Sequence, residues 1–339
     1  MTLQSRTILC FGEIVMRLSV PAGEMPLQSP RFDAWVGGAE ANVAVALAAL
    51  GHRSRMVSAV PSGTIGDAPI AELRRHGVDI GAILRRGGRM GLYYHIAGGP
   101  MRAAEVVYDR ADSAFARAAP TEWDWDALLG GADWLHLSGV TPALGAAAAE
   151  SAFAAARAAR ARGIGVSFDG NWRGRLWERW HDDPAAILRP IVEQATLLFG
   201  NHRDASLLLG QEFSGDGEDR RRAAALALLD RFPALTHVAS TARHVVGADE
   251  HCIVARIDTR EAWAATADAV IAPIVDRVGT GDAFAAGILD GLWQGLALVD
   301  VAAHGLSLSA LKHGLRGDLA PFSRGALERA SLKAADVVR

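Results

Sequence analysis

The sequence predicts an α/β fold in which helices flank a doubly wound, mainly parallel β-sheet. Short, nearly continuous apolar runs recur through the second half of the chain, as expected for strands that are covered on both faces. Ala-rich, Arg-containing stretches that favour helix separate these runs. Alternation of strand and helix indicates βαβ units, and therefore a parallel sheet. The predicted buried strands are residues 134–137, 164–168, 196–199 and 236–239, and the clearest helices are residues 143–162 and 219–232.

Two early segments instead alternate apolar and polar residues, which predicts a second, half-exposed antiparallel sheet. They are residues 31–36 and the pair 92–97 and 103–110, and the residues that join this pair, 98–101, are typical of a hairpin turn. We interpret them as a small β-sheet lid, formed by about residues 13–36 and 90–112, on a single domain of residues 1–339. The alternative is an antiparallel extension that only stiffens the edge of the larger sheet.

Composition limits the class of function. The 339 residues are 50% hydrophobic and 22% charged, values that are ordinary for a soluble globular protein. The net charge of −3 lacks the positive field of a nucleic-acid-binding protein. The longest charge-free stretch, residues 134–149, is shorter than the ~20 apolar residues of a membrane span, and the first residues show no signal-peptide cleavage pattern. We therefore expect a cytoplasmic protein that binds small molecules, with neither nucleic acid nor membrane as partner.

The strongest local motif is the turn Gly279-Thr280-Gly281-Asp282, which follows an apolar run and opens a helix. Backbone N–H groups at such a helix start point outward, and the helix dipole adds positive charge, so the turn predicts a phosphate site. No Gly-Lys-Ser/Thr follows, which excludes a Walker A loop, and Phe284 stands where a dinucleotide fingerprint needs its third glycine. Asp282 would repel a phosphate. General-base catalysis explains its presence, and capping of its own helix is the alternative.

The second motif, residues 37–42, lies between a predicted lid strand and a helix. Its two glycines, Gly37 and Gly38, allow a hinge and a close approach of the backbone to a ligand. Asn42 falls in the first helical turn, where its amide is placed to bind a ligand hydroxyl such as that of a sugar. The alternative is a plain strand-to-helix turn with Asn42 on the solvent face.

Together these motifs resemble those of the ribokinase-like (PfkB-type) carbohydrate kinases, and the resemblance covers nearly the whole chain. It implies the ribokinase-like fold and the phosphorylation of a sugar hydroxyl with ATP and Mg²⁺. By resemblance, Asp282 deprotonates the acceptor hydroxyl, and the amides of residues 279–282 form the anion hole. Asn201 matches the start of the family's Asn-x-x-Glu segment, which is linked to Mg²⁺ and phosphate. Asp204 replaces the Glu of that segment, and its shorter side chain would act on Mg²⁺ through a water.

The resemblance implies three further features. Asp276 stands where relatives bind potassium, which predicts a monovalent-cation site. Thr241 and Arg243 are predicted nucleotide contacts, although they lie in a segment that lacks the glycines of the family's Lys-x-Gly-x-x-Gly loop. A homodimer that pairs through the lid is also expected, since an exposed sheet edge often finds a partner edge.

Within the family, the chain is similar to kinases of 2-keto-3-deoxygluconate. This similarity rests on residues 11–18, 91–93, 107–114, 134–144 and 169–177. A sugar acid carries a carboxylate, which the planar fork of arginine binds well, so Arg110 and Arg173 are the candidate ligands. Tyr93 and Tyr108 supply phenolic donors. Asp109 neighbours Arg110 on the predicted strand and should face the opposite side. The alternative role for both arginines is a surface salt bridge.

The predicted reaction is ATP-dependent phosphorylation of 2-dehydro-3-deoxy-D-gluconate to its 6-phosphate. The alternatives are a kinase for fructose, ribose or 2-keto-3-deoxygalactonate, and a sensor of sugar or nucleotide that has lost turnover. The intact turn at residues 279–282 favours an enzyme, whereas Asp204 and the missing glycines near Arg243 favour a sensor.

Overall fold

A ten-stranded sheet and a separate four-stranded sheet organise the chain. The computed structural model describes residues 5–99, 101–247 and 249–330, so Pro100 of the predicted hairpin turn and the first four residues lie outside the described part. The strands are β1 (Thr7–Phe11), β2 (Val15–Ser19), β3 (Asp33–Gly37), β4 (Arg53–Pro61), β5 (Asp79–Arg86), β6 (Gly91–Ile96), β7 (Glu105–Asp109), β8 (Trp134–Ser138), β9 (Gly165–Asp169), β10 (Leu197–Phe199), β11 (His237–Val245), β12 (His251–Asp258), β13 (Trp263–Ala265) and β14 (Ala269–Ile271).

Helices cover the large sheet on both faces. They are α1 (Ala39–Ala49), α2 (Thr64–Arg75), α3 (Trp125–Leu128), α4 (Ala146–Ala161), α5 (Gly174–Trp177), α6 (Pro184–Val192), α7 (His202–Leu209), α8 (Glu218–Arg231), α9 (Thr280–Trp293), α10 (Leu298–His313) and α11 (Arg324–Arg329). Apolar side chains of α1, α2, α9, α10 and α11 form the core on one face, and those of α3 to α8 form the core on the other. Among the described residues, no helix is long and apolar enough to cross a membrane.

The large sheet has the strand order β13-β12-β11-β10-β9-β8-β1-β4-β5, and β14 also pairs with β12. The pairs from β5 to β11 are parallel, and β12 adds an antiparallel extension. This confirms the predicted, mainly parallel α/β fold. All four predicted buried strands are present, within one or two residues at most of their ends, but β11 continues to Val245 because it pairs with β12. The order of strands reverses beside β1, and in such sheets the carboxyl ends of the strands form the ligand crevice.

The lid sheet has the order β3-β2-β6-β7, and three of its strands, β3, β6 and β7, lie in the segments that alternation predicted. The sequence suggested a purely antiparallel sheet, but β2 and β6 pair in parallel. β2 follows β1 and β6 follows β5, two strands of the large sheet that run in the same direction. Local alternation cannot reveal that β2 and β6 then lie side by side. β3 ends at Gly37 and leads directly into α1, so the predicted hinge lies between lid and core. Pairing of two lids in a homodimer stays a prediction.

One buried carboxylate joins four segments on the α9 face of the sheet. Asp290 accepts hydrogen bonds from His52 Nε2 at 2.8 Å, His304 Nε2 at 2.6 Å and Arg324 Nη1 at 2.9 Å. Arg324 also donates to the carbonyl of Leu50 at the end of α1. Burial by itself would raise the pKa of Asp290, but the bonds from His304, His52 and Arg324 hold that pKa well below its usual range.

We expect Asp290→Asn to lower the free energy of unfolding at pH 7 by about 2–4 kcal/mol, because the amide cannot satisfy three charged or ring N–H donors. The pKa of Asp290 is lower in the folded protein than in the unfolded chain, so its ionised form stabilises the fold above about pH 4. That contribution is lost progressively as the pH falls further. Urea unfolding at pH 7 and at about pH 3.5 measures both effects, and the gap between variant and wild type should narrow at the lower pH.

The control is Asp230→Asn, the same chemical change at an exposed position of α8. It should shift stability by no more than about 0.5 kcal/mol. Equal losses in the two variants would contradict the structural role of Asp290.

Candidate active site

A cavity of about 590 Å³ lies between the inner face of the lid and the start of α9. Most of the residues that the sequence singled out for substrate and catalysis line it, namely Gly38, Asn42, Tyr93, Tyr108, Arg110, Arg173, Gly279, Thr280, Gly281 and Asp282. Gly37 lies just behind this wall, where a Cβ atom would come 2.1 Å from Asp318 Oδ2. The structure therefore brings together two motifs that lie at opposite ends of the sequence.

The predicted phosphate turn adopts a geometry that only glycine tolerates at its first position. Gly279 has φ 80° and is the N-cap of α9, and a Cβ atom there would lie 1.9 Å from the carbonyl oxygen of Asp318. Gly38 is similar, since its φ is 130° and a Cβ atom would lie 2.3 Å from the carbonyl oxygen of Glu13. The first N–H groups of α9 have no partners within the helix, so this end of the cavity suits an anion.

Asp282 lies in the first turn of α9 and is only 9% exposed. Asn42 Nδ2 donates to its Oδ2 at 2.6 Å. Burial raises the pKa of Asp282 to about 7, against the opposing effects of the Asn42 bond and the positive charge of Arg173. The carboxyl group thus gains or loses its proton near neutral pH, as a general base for a sugar hydroxyl requires. The Asn42 amide nitrogen is thus hydrogen-bonded to Asp282, whereas the buried Asn42 Oδ1 has no protein partner.

A second carboxyl group, that of the half-buried Asp169 at the end of β9, lines the same cavity as Asp282. Burial raises its pKa to about 8, and the negative charges of Asp282 and Asp204 act in the same direction. The backbone and side-chain N–H groups of Asn171 hold its two oxygens, at 3.1 and 3.2 Å. Asp169 lies in the segment 169–177, whose pattern in the sequence gave this residue no role of its own. Its place directly after a buried strand is the signal that could have found it.

The two candidate arginines sit in different surroundings. Arg110 is buried at the end of the lid strand β7, and its Nε donates to Glu13 Oε2 at 2.6 Å. A guanidinium has five N–H donors, so this pair leaves others for a ligand. Asp109 faces the other way and pairs with Arg89, which confirms the predicted opposite orientation. Arg173 is exposed at the mouth of the cavity, and its positive charge partly opposes the rise in the pKa of Asp169 and of Asp282.

The two tyrosines are directly opposite each other in the antiparallel pair β6–β7. Tyr93 donates its hydroxyl to Asp318 Oδ2 at 2.5 Å, so its phenol already has a protein acceptor. Burial and the negative charge of Asp318 hold the pKa of Tyr93 well above its usual range, which keeps the hydroxyl protonated. Tyr108 lines the cavity beside it. Asp318, which the sequence analysis did not propose, therefore orders this wall.

A neighbouring cavity of about 580 Å³ contains the three predicted nucleotide contacts, Asn201, Thr241 and Arg243. It shares Arg243, Thr280 and Gly281 with the cavity under the lid, so the phosphate turn lies between the two spaces. The family pattern implies that Thr241 and Arg243 lie on a loop, but here they do not. They are part of β11, because a segment without glycines continues as a strand paired with β12.

Asn201 and Asp204 have a structural role of their own. They form a capping box at the start of α7, in which Asp204 Oδ2 accepts the Asn201 N–H at 2.7 Å. Burial raises the pKa of Asp204 to about 6. Asp204 and Asp169 line one pocket with Asn201. A pair of carboxylates beside a phosphate site fits Mg²⁺, which is commonly held by one or two carboxylates, waters and phosphate oxygens. No cluster of three or more metal-binding side chains occurs among the described residues.

Asp276, the predicted potassium ligand, already has a cation. Arg17 Nη1 donates to its Oδ2 at 2.8 Å, and the Gly317 N–H donates to the same oxygen at 3.1 Å. The Val278 N–H binds its Oδ1 at 3.0 Å. An added cation at this carboxylate would have to displace a guanidinium or share an oxygen with it. The residues around Asp276 therefore do not fit the monovalent cation that the resemblance implied.

Comparison with known proteins agrees with the site. The family described as pfkB family carbohydrate kinase matches residues 5–322. A 2-dehydro-3-deoxygalactonokinase of Haloferax volcanii is 31% identical over 328 residues, which cover 95% of this chain and 95% of that protein. A 2-dehydro-3-deoxygluconokinase of Bacillus subtilis is 29% identical over 300 residues, which cover 85% and 83%. These matches confirm the resemblance inferred from the two glycine motifs.

Solved structures agree as well. The 2-dehydro-3-deoxygluconokinase of Thermotoga maritima is 34% identical and superposes with a TM-score of 0.90, covering 96% of this chain and 98% of that one. A sugar kinase of Pyrococcus horikoshii in complex with ATP is 21% identical and has a TM-score of 0.74, over 94% of this chain and 96% of that one. At that identity the second likeness concerns the fold alone.

The raised pKa of Asp282 leads to a prediction about stability. A carboxyl group with a pKa of about 7 in the fold and about 4 in the unfolded chain destabilises the fold increasingly as the pH rises between those values. An amide removes this penalty and keeps an oxygen for the Asn42 bond. We therefore expect Asp282→Asn to raise Tm at pH 8 by about 2–6 °C, and by less at about pH 5.

Differential scanning calorimetry at the two pH values measures this difference, with Asp230→Asn as the exposed control. A gain of equal size at both pH values, or no gain at pH 8, would show that burial does not penalise the Asp282 charge.

Proposed function

The chain belongs to the pfkB family of carbohydrate kinases, and we propose that it transfers the γ-phosphoryl group of ATP to the terminal hydroxyl of 2-dehydro-3-deoxy-D-gluconate, forming the 6-phosphate. The observation that carries the proposal is the position of Asp282. It is a buried carboxyl group at an anion-binding helix start, in a cavity whose walls also carry Arg110 and Arg173. A base, a phosphate cradle and cationic groups for an acid thus meet in one space.

In this mechanism, Asp282 accepts the proton of the acceptor hydroxyl as its oxygen attacks the γ-phosphorus. The bond from Asn42 fixes the carboxylate, so that Oδ1 remains for the substrate. A base with a pKa near the working pH combines a large ionised fraction with adequate basicity. The N–H groups of residues 279–282 bind the charge that develops on the transferred phosphoryl group.

The nucleotide is proposed to occupy the cavity lined by Asn201, Thr241 and Arg243, with its γ-phosphate at the shared turn. Asp169 and Asp204 would hold Mg²⁺, directly or through water. When bound, Mg²⁺ neutralises charge on the phosphate oxygens during transfer. Closure of the lid about Gly37 and Gly38 would exclude water, which limits loss of ATP by hydrolysis.

The acid is proposed because cations line the sugar cavity on two sides. Arg173 approaches from the mouth and Arg110 from the lid, and both suit a carboxylate better than a neutral hydroxyl. The galactonate epimer is a second candidate, because the Haloferax volcanii relative is named for it. The two acids differ only in the orientation of one hydroxyl group.

A coupled assay of ADP release with Mg-ATP tests the function. The acceptors are 2-dehydro-3-deoxygluconate, its galactonate epimer, fructose, ribose and a blank without sugar. We expect turnover with the deoxy-keto acids and little with the neutral sugars. Turnover with fructose or ribose alone would overturn the substrate. A folded protein that binds ATP but phosphorylates none of them would support the sensor.

In the same assay Asp282→Asn should lower kcat by at least about 10³-fold with little change in KM, because the base acts mainly in the transition state. Asp230→Asn should leave both constants unchanged. Near wild-type kcat in Asp282→Asn would refute the assignment of the base.

For the acid preference, Arg173→Met is the cleaner test, because Arg110 is buried with Glu13 and its loss would leave an unpaired charge. We expect kcat/KM for the deoxy-keto acid to fall by about 10²-fold through KM, since the lost interaction binds the carboxylate in ground and transition states alike. Arg157→Met, on the exposed face of α4, is the matched control. An unchanged preference for the acid over fructose would show that other groups hold the carboxylate.

A further inference from the structure

Arg17 connects the lid to the phosphate turn through buried ion pairs. It lies on the lid strand β2 and is 3% exposed. Its Nη1 donates to Asp276 Oδ2 at 2.8 Å and to Asp318 Oδ1 at 3.2 Å, and its Nε donates to Ser19 Oγ at 2.6 Å. Its Nη2 lies 3.0 Å from His95 Nδ1. Burial and the charge of Arg17 lower the pKa of His95 to about 4, so the neutral ring accepts this bond.

The two acids that Arg17 binds hold the phosphate turn from behind. Asp276 accepts the Val278 N–H at 3.0 Å, which fixes the residue directly before the turn. The backbone of Asp318 packs against Gly279 so closely that a Cβ atom there would lie 1.9 Å from the Asp318 carbonyl oxygen. A shift of Arg17 would therefore move both supports of the anion site.

The backbone carbonyl oxygens near Asp276 also accept hydrogen bonds. The His313 carbonyl accepts the N–H groups of Val275 and Asp276, at 2.8 and 3.1 Å. The Leu315 carbonyl accepts Lys312 Nζ at 2.8 Å, and this lysine is fully buried. A diffusible cation at Asp276 would therefore have to share oxygens that already accept N–H donors.

Two basic side chains lie close to these acids. Arg17 and Lys312 are buried in the same region as the carboxyl groups of Asp276 and Asp318. The attraction that draws a metal ion to a buried carboxylate is therefore already satisfied by side chains.

We propose that the Arg17 guanidinium, assisted by Lys312, is the resident cation of the phosphate turn, so that phosphoryl transfer by this chain does not depend on potassium. The proposal rests on the sugar-kinase function above. Arg17 acts as a positioning residue, through Asp276 and Asp318, and does not touch the reacting atoms. Because this cation is part of a side chain, it keeps the turn in place at any salt composition. It also connects the order of the turn to the position of the lid.

The test compares kcat of the wild-type protein in potassium, sodium and tetramethylammonium chloride at equal ionic strength, with the acceptor that gives turnover. We expect the three values to agree within about two-fold. Tm of the wild-type protein should also be the same in the three salts, because no ion binds. A wild-type kcat that falls more than about five-fold without potassium would overturn the proposal, and so would a potassium-specific rise in Tm.

Arg17→Met vacates the cation position and should make the enzyme respond to potassium. In tetramethylammonium we expect its kcat to fall at least about ten-fold, with a smaller change in the KM of the sugar, and potassium should restore part of the loss. Arg17→Lys retains a charge and keeps the proposal testable if the methionine variant does not fold. It should keep more activity than Arg17→Met in tetramethylammonium. Arg85→Met, which breaks an exposed pair with Asp67, is the control and should behave as wild type.

A methionine variant with wild-type kcat in tetramethylammonium would overturn the proposal. Equal loss in all three salts would also overturn it, since that result indicates a merely structural role. The Tm comparison does not require turnover. Absence of turnover with every acceptor would therefore count against the proposed function, whereas a potassium effect on wild-type Tm would count against the role of Arg17.

Discussion

The ion pairs from Arg17 to Asp276 and Asp318 are the interaction on which the geometry of the site depends. They join a strand of the small sheet to the two segments that shape the phosphate turn. Asp318 extends the connection, because it accepts the Tyr93 hydroxyl from the lid and packs its backbone on Gly279. Buried charges are stable only when every partner is present. A lid that moved away from this junction would leave charges unpaired, so the network favours the arrangement in which lid and turn lie close together.

Two aspartates on the same helix show how environment divides structure from chemistry. Asp290, in the interior of α9, is surrounded by His52, His304 and Arg324, and its pKa is held low. Asp282, at the first turn, has one amide partner and a pKa raised to about 7 by burial. The first residue stabilises the fold through complete pairing. The second keeps an unneutralised carboxyl group at the expense of stability, which is typical of functional sites.

Both departures from the family pattern have a local structural explanation. Asp204 closes a capping box with Asn201, a role for which its short side chain is well suited. The segment without glycines that contains Thr241 and Arg243 extends β11 and still lines the cavity next to the phosphate turn. These were the two features that favoured a sensor. Since each preserves the position of its residues at the site, neither requires the loss of catalysis.

The sequence by itself determined the α/β class, four of the buried strands, the lid segments and the two glycine motifs, because apolar periodicity and turn chemistry are local properties of a chain. It could not reveal that β2 and β6 pair in parallel, or that Asp169 lines the same cavity as Asp282. Tertiary structure also decided the partners of the charged groups. Arg17 and Asp276 are 259 residues apart in sequence. The sequence could not place Arg17 beside Asp276, because no local pattern encodes which distant side chain will meet a buried carboxylate once the sheet and the lid have folded together.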